Sequence, residues 1–490
     1  MERPNAWKKY KEGSKEEKKL FDFAEDYRMF ISTHKTEREC TEFFVSESGF
    51  KNLDDVIAKD KELKPGDKVY AVNHGKAVAL FIIGKEPLEN GMNILGAHID
   101  SPRLDLKQVP LYEDTDMALF DTHYYGGIKK YQYVTLPLAL HGVIAKKDGT
   151  VVKVNVGDDL KDPVFGVTDL LIHLAADQMK HDGSKVVEGE NLDVLIGSRP
   201  LDEALSEEFE KSLAEEAKAN GEKAPKSDEI KAKAKKELVK KNVLRILKAK
   251  YDISEEDFLS AEIEVVPAGE ARDYGFDRSM IMGYGQDDRV CAYPSYRAIV
   301  DYKGTPKRTS ACLLVDKEEI GSVGASGMES RFFENTVAEL IRLTTGKESD
   351  LAVRRALKNS KALSSDVSAA FDPLYASTMD KKNAAYFGRG LVLNKYTGAR
   401  GKSGSNDASA EYVGLVRKVF DDNKVYFQTA ELGKVDQGGG GTIAYIIGNY
   451  DMNVIDSGVA VLSMHSPWEI TSKVDIYEAY LGYLAFLKDA

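Results

Sequence analysis

Short apolar runs that stop abruptly on a metal-ligating side chain recur along this chain, and they constrain its fold more than any other feature. The run 311–315 (ACLLV) ends on Lys317, Glu318 and Glu319, and the run 93–97 (NILGA) ends on His98 with Asp100 close behind. The segment 362–366 ends on Asp366, and 459–465 (VAVLSMH) on His465. Apolar runs this short, bounded by turn chemistry, predict buried strands. In open α/β sheets, ligands bind just past the strand ends. Adjacent carboxylates repel, so Glu318 and Glu319 held together in a cleft need a cation or a shared proton. The bland alternative is a solvated pair on a loop, since surface Glu is common.

A chain of 490 residues has room for two or three domains. Its formal charge of −12, with no basic stripe, argues against a nucleic-acid partner. Cys40, Cys291 and Cys312 are too scattered for a disulfide framework or a CxxC metal site, which suits a reducing compartment. The N-terminal stretch has no apolar core of signal-peptide length and no later run approaches a membrane span, so the expected location is the cytoplasm, with no membrane partner.

Along the chain, Ser14 and Glu17 make a capping-box pattern ahead of Leu20, Phe21, Ala24, Tyr27, Phe30 and Ile31, predicting an amphipathic helix. Residues 69–83 predict a hairpin about Asn73, His74 and Gly75, its second strand apolar enough to be covered on both faces. From about 105 to 266 the pattern shifts to alternating segments, 133–140 and 151–156 among them, which predict β structure. Within that stretch 202–251, rich in Glu, Lys and Ala and broken at 219–225, predicts a pair of helices with exposed faces. The strand-end pattern resumes at Gln286, Asp287, Asp288 and Arg289, followed by a helix predicted to begin at Pro294, because proline is tolerated near a helix start. Gly321, Gly324 and Gly327 lack a GK[ST] ending and predict tight turns rather than a phosphate loop. A further strand is predicted at 426–430, and a closing helix at 475–487 buries one face. Strand and helix alternation on both sides of the β-rich stretch predicts an α/β fold. Its mixed, largely parallel sheet, flanked by helices, is built from 1–107 and 258–490 and interrupted by an inserted domain at 108–257.

Collected from those strand ends, the ligand-capable residues are His98, Asp287, Glu318, Glu319, Asp366 and His465. Two histidines with several carboxylates suit a pair of borderline divalent ions, zinc first, with cobalt or manganese also served by these ligand types. Taken singly, each has a structural reading as a core histidine or a turn acid; together at predicted strand ends they point to one centre.

GAHIDSPRL (96–104), QDDR (286–289), DKEEIGSVGASG (316–327), SSDVSAA (364–370) and LSMHSPWE (462–469) resemble the motifs of the aspartyl aminopeptidase family, co-catalytic di-zinc exopeptidases. The resemblance implies that the inserted domain serves dimerisation and that the chain assembles into a closed homo-oligomer, a dodecamer built from dimers. It makes His98 and Asp366 ligands of one zinc, Glu319 and His465 ligands of the other, and Asp287 the bridge. Glu318 becomes the general base and Asp100 the acid orienting the His98 imidazole, while His173, in IHL (172–174), reaches a neighbouring subunit's site. Peptides are the implied substrates. Members that prefer acidic N-terminal residues carry a lysine after a G-x-V-I run, whereas here Gly390, Leu391, Val392 and Leu393 are followed by Asn394 and then Lys395. That departure bears on side-chain preference and leaves the hydrolytic set intact. The competing expectations are another amide hydrolase on the same metal centre and a non-catalytic oligomeric scaffold built on the charged helical insert.

Overall fold

The computed structural model describes residues 4–219, 226–398 and 400–490, which fold into two compact units, Met1–Pro102 with Glu270–Ala490, and Arg103–Gly269. The first unit is built on a nine-stranded mixed sheet. In spatial order its strands are Lys51–Asn52, Lys68–Asn73, Ala77–Ile82, Thr309–Val315, Met92–His98, Lys361–Ser364, Asn453–Gly458, Leu391–Asn394 and Phe427–Thr429. Thr309–Val315, Met92–His98, Lys361–Ser364 and Asn453–Gly458 run parallel side by side, so their carboxyl ends share one edge.

The two-residue period of a strand sorts their side chains onto opposite faces. Leu80, Leu95, Cys312, Leu314 and Ile455 join one core with helices Lys15–Thr33, Glu37–Ser48, Gln286–Val300, Ala410–Asp422 and Lys473–Asp489. Phe81, Ile94, Ala311, Leu313 and Val454 join the other, with Leu53–Ala58, Phe332–Thr345, Asp350–Lys358 and Ala444–Gly448. Helices on both faces explain why these strands read as continuous apolar runs rather than alternating ones. A second sheet in this unit orders Arg272–Tyr274, Met280–Gly283, Glu469–Ser472, Ala460–Leu462 and Ser368–Ala369.

Local chemistry accounts for most boundaries. Ser14 Oγ accepts the Glu17 N–H at 3.1 Å, and the Glu17 carboxylate accepts from the Gly13 N–H at 2.6 Å, one residue before the expected capping-box partner. The predicted hairpin forms with Asn73 opposite Ala77, and His74 and Gly75 turn it at φ 52° and 69°. Gly321 and Gly324 take φ 93° and 78°, and a Cβ at Gly327 would lie 2.1 Å from the Ser322 carbonyl oxygen, as tight turns require.

Several expectations change. The helix expected from Pro294 begins at Gln286, with non-helical dihedrals at Asp287 and Asp288, so Pro294 lies inside it, about a turn beyond the residue where regular helix starts. The segment 459–465 is not one strand: Ala460–Leu462 leaves the large sheet for the second one, and His465 follows on a turn. The closing helix runs Lys473–Asp489 and buries more than one face, including Asp475, whose carboxylate accepts the N–H groups of Gly388 and Gly390 at 2.8 and 2.6 Å.

The Arg103–Gly269 unit holds a six-stranded antiparallel sheet in the order Val151–Val156, Leu138–Ala145, Ala261–Pro267, Arg103–Asp114, Met117–Tyr125 and Val194–Gly197. The boundaries expected at 108 and 257 fall within the unit, because Asp105 pairs with Glu264 across neighbouring strands of its sheet. Residues 133–137, expected extended, precede the strand and follow the 3₁₀ turn Lys130–Gln132. The expected helical pair is three helices among the described residues, Glu203–Ala219, Ser227–Lys233 and Leu238–Tyr251. The break read at 219–225 lies from 220 onward outside the described residues. No helix among the described residues is long and apolar enough to cross a membrane.

Candidate metal centre

The shared carboxyl edge of the central strands gathers the polar side chains. His98 is the last residue of Met92–His98, and register pairs it with Val315, so the chain leaving Thr309–Val315 sets Glu318 and Glu319 beside the imidazole. Asp366 follows two residues after Lys361–Ser364, and Asp287 stands at the non-helical start of Gln286–Val300.

Asp287 lies between two imidazoles. Its Oδ1 is 3.1 Å from His98 Nε2, and its Oδ2 is 3.2 Å from His465 Nε2. Glu319 Oε2 stands 3.6 Å from His465 Nε2, and Glu318 Oε2 stands 3.9 Å from His98 Nε2. Three overlapping sets, His98 with Asp287 and Asp366, His98 with Glu318 and Glu319, and Asp287 with Glu319 and His465, each bring their ligand atoms within 4.8 Å of one another. All six expected residues therefore converge.

So much negative charge out of water demands compensation. Burial pushes the Glu319 carboxyl well above its usual range, with Asp287 adding repulsion, and burial does the same to Asp366 with Asp288 and Asp287 beside it. Burial carries Glu318 up to about 7 against the pull of His98. Asp287 goes the other way, because hydrogen bonds from the two imidazoles outweigh its burial and hold it below the carboxylate range. For His98, burial lowers the pKa but the bonds to Asp100 and Asp287 raise it further. Glu319 Oε1 is buried with no hydrogen-bond partner among the described residues. An orphaned carboxylate oxygen, a carboxylate facing an imidazole with each oxygen, and a mixed N/O donor set fit divalent zinc.

A family model described as aminopeptidase I zinc metalloprotease (M18) matches residues 30–487. The chain belongs to the M18 family. A probable M18 family aminopeptidase 1 of Clostridium acetobutylicum is 58% identical over 488 residues, spanning 99% of this chain and 98% of its own. The crystal structure of an M18 aminopeptidase from Thermotoga maritima, 43% identical, matches all of both chains with a TM-score of 0.88. The S. cerevisiae mApe1 dodecamer, 20% identical over 95% of this chain and 96% of its own, shares the fold at a TM-score of 0.70. The expected family, α/β fold class and metalloaminopeptidase activity hold, and zinc is the metal of the family.

Around this M18 centre a ring of carboxylates holds the backbone of the candidate ligands. Asp100 is fully buried; its Oδ1 lies 3.2 Å from His98 Nδ1 and accepts the Glu318 N–H at 3.2 Å, while Oδ2 accepts the Glu319 N–H at 3.2 Å. One side chain thus orients an imidazole and two acidic residues at once. Asp288 Oδ2 accepts the His98 N–H at 3.3 Å, and Ser101 Oγ donates to the Asp287 carbonyl at 2.7 Å. Glu469 Oε2 accepts the Asp287 N–H at 3.1 Å, and Oε1 accepts the His465 N–H at 2.7 Å. Asp288, Ser101 and Glu469 lie inside the motifs read from sequence without having been singled out. For Asp288 and Glu469 the available signal was an acidic residue inside a motif with no ligand role assigned to it; Ser101 offered no such signal. His173 lies in the other unit, exposed on a turn with Ile172 and Leu174.

Proposed function

We propose that this M18 aminopeptidase releases single N-terminal residues from peptides at a centre of two zinc ions. His98 and Asp366 hold one ion, Glu319 and His465 the other, and Asp287 both. The observation that carries the reading is Asp287, with one oxygen 3.1 Å from His98 and the other 3.2 Å from His465. Bound as a pair, such ions polarise a scissile carbonyl and acidify water at neutral pH. Glu318 takes a proton from the attacking water and delivers it to the departing amine, which requires a carboxylate beside the ions rather than on them. Asp100 keeps Glu318 within reach through its backbone N–H and holds the His98 ring by its remaining nitrogen.

A preference for acidic N-terminal residues finds no support here. Asn394 is buried, donates its amide to the Ala430 carbonyl at 2.9 Å, and carries no charge, while Lys395 is paired with Asp407. We assign the Arg103–Gly269 unit to self-association. Exposed Leu170, Leu171, Ile172 and Leu174 offer an apolar contact, His173 among them would complete a neighbouring subunit's site, and a dodecamer on this fold is the expected assembly. Buried cysteines at 40, 291 and 312, in no disulfide among the described residues, accord with a reducing cytoplasm.

The test combines elemental analysis with cleavage of an aminoacyl library and of the same peptides acetylated at the N-terminus. Two zinc equivalents per chain, cleavage of free peptides, and no cleavage of blocked ones are the expected results. Turnover of blocked peptides would move the activity to another amide hydrolase, and fewer than one metal per chain would favour the scaffold.

A further inference from the structure

Glu469 occupies a junction between the two segments that bear Asp287 and His465. Its strand, Glu469–Ser472, pairs antiparallel with Met280–Gly283, placing Gly283 opposite Glu469, and with Ala460–Leu462, placing Leu462 opposite Ile470. The first neighbour runs directly into the turn before Asp287, and the second into the turn 463–466 that carries His465. At 1% exposure the Glu469 carboxylate is closed off from solvent, and each of its oxygens takes one ligand's N–H, 3.1 Å from Asp287 and 2.7 Å from His465.

We propose that Glu469 is a positioning residue that clamps His465 to the bridging Asp287 and thereby governs retention of the ion on the His465 side. The proposal rests on the two-ion reading above. Two converging N–H donors need two acceptors, and a carboxylate is the side chain of this length that offers them. The two ends of the clamp differ in firmness. Asp287 is also gripped through its carbonyl by Ser101 Oγ at 2.7 Å and faces two imidazoles, whereas His465 sits on a turn at φ 64° with its side chain 37% exposed. When the clamp opens, the His465 end gives way. The His98 and Asp366 side keeps its own support in Asp100 and the sheet.

Glu469→Gln keeps the shape but points an amide N–H₂ at one of the donors. Zinc retention is followed by equilibrium dialysis of the full-length protein against graded chelator, alongside the absorption spectrum of the cobalt-substituted protein. In the variant one of two equivalents is expected to weaken about 10- to 100-fold, the range for lost support of a metal ligand, with the other unchanged. The cobalt spectrum changes for the weakened equivalent alone, and kcat recovers at saturating zinc. Glu469→Asp, which retains both acceptors on an arm one methylene shorter, restores part of the lost retention. Equal weakening of both equivalents, unchanged retention, or a Glu469→Asp variant no better than Glu469→Gln overturns the clamp. Failure of both variants to fold also overturns it, making Glu469 a residue of the fold rather than of the centre. Fewer than two equivalents on the wild type overturns the two-ion reading and the clamp with it. Two on the wild type with equal losses in the variant overturns the clamp alone.

Discussion

Glu318→Gln is expected to keep its zinc and lose turnover, with kcat falling about 10²- to 10⁴-fold, the contribution of a positioned general base. The substitution is isosteric, and the backbone N–H that Asp100 accepts at 3.2 Å survives it, so the amide stays where the carboxylate was. What disappears is the ability to take a proton. Glu318 is suited to that role by position: its Oε2 stands 3.9 Å from His98 Nε2, farther than Asp287 at 3.1 Å, and the side chain remains half-buried at the mouth of the cluster. Because the lost step follows binding, KM should move only a few-fold while kcat carries the effect. Steady-state kinetics with elemental analysis of the same preparation decides the matter. Metal loss would make Glu318 a ligand, and a kcat within tenfold of wild type would move the base elsewhere.

Asp287→Ala is expected to remove both ions together and take activity below detection. Each Asp287 oxygen faces a different imidazole, so on the two-ion reading one truncation takes a ligand from both halves and leaves two residues apiece, His98 with Asp366 and His465 with Glu319. Zinc binding to the native state raises stability by about 2.7 kcal/mol per site at a hundred times Kd. The wild type should therefore gain Tm on zinc addition and the variant should not. Thermal denaturation across a zinc series reads this directly. One equivalent retained at wild-type affinity would place Asp287 in one half of the centre only.

The donor types of the cluster and their anchorage were legible because both are local. A run such as 93–97 announces a strand by composition and length, and the residue that ends it, His98, is set at the sheet edge by the strand itself. Helix starts were legible where a side chain caps them, as at Ser14, and misplaced where backbone geometry overrides the usual proline rule. Asp287 and Asp288 are non-helical, and regular helix then runs from Arg289 through Pro294. His465 was read as the end of a strand over 459–465, but that strand is only Ala460–Leu462, in the second sheet, and His465 follows it on a turn.

By itself, the amino-acid sequence settled the chemistry on offer: two imidazoles and several carboxylates at predicted strand ends, in the motif order of a metalloaminopeptidase, with a β-rich insert between the halves. Tertiary structure alone decided who faces whom. Thr309–Val315 slots between Ala77–Ile82 and Met92–His98, Asp287 stands between histidines from distant segments, and Glu469 closes on Asp287 and His465 together. Periodicity and turn chemistry act within a few residues and leave their mark in the sequence. The contacts that gather this cluster join residues nearly two hundred positions apart, as between His98 and Asp287, and depend on strand register and packing that no local pattern encodes.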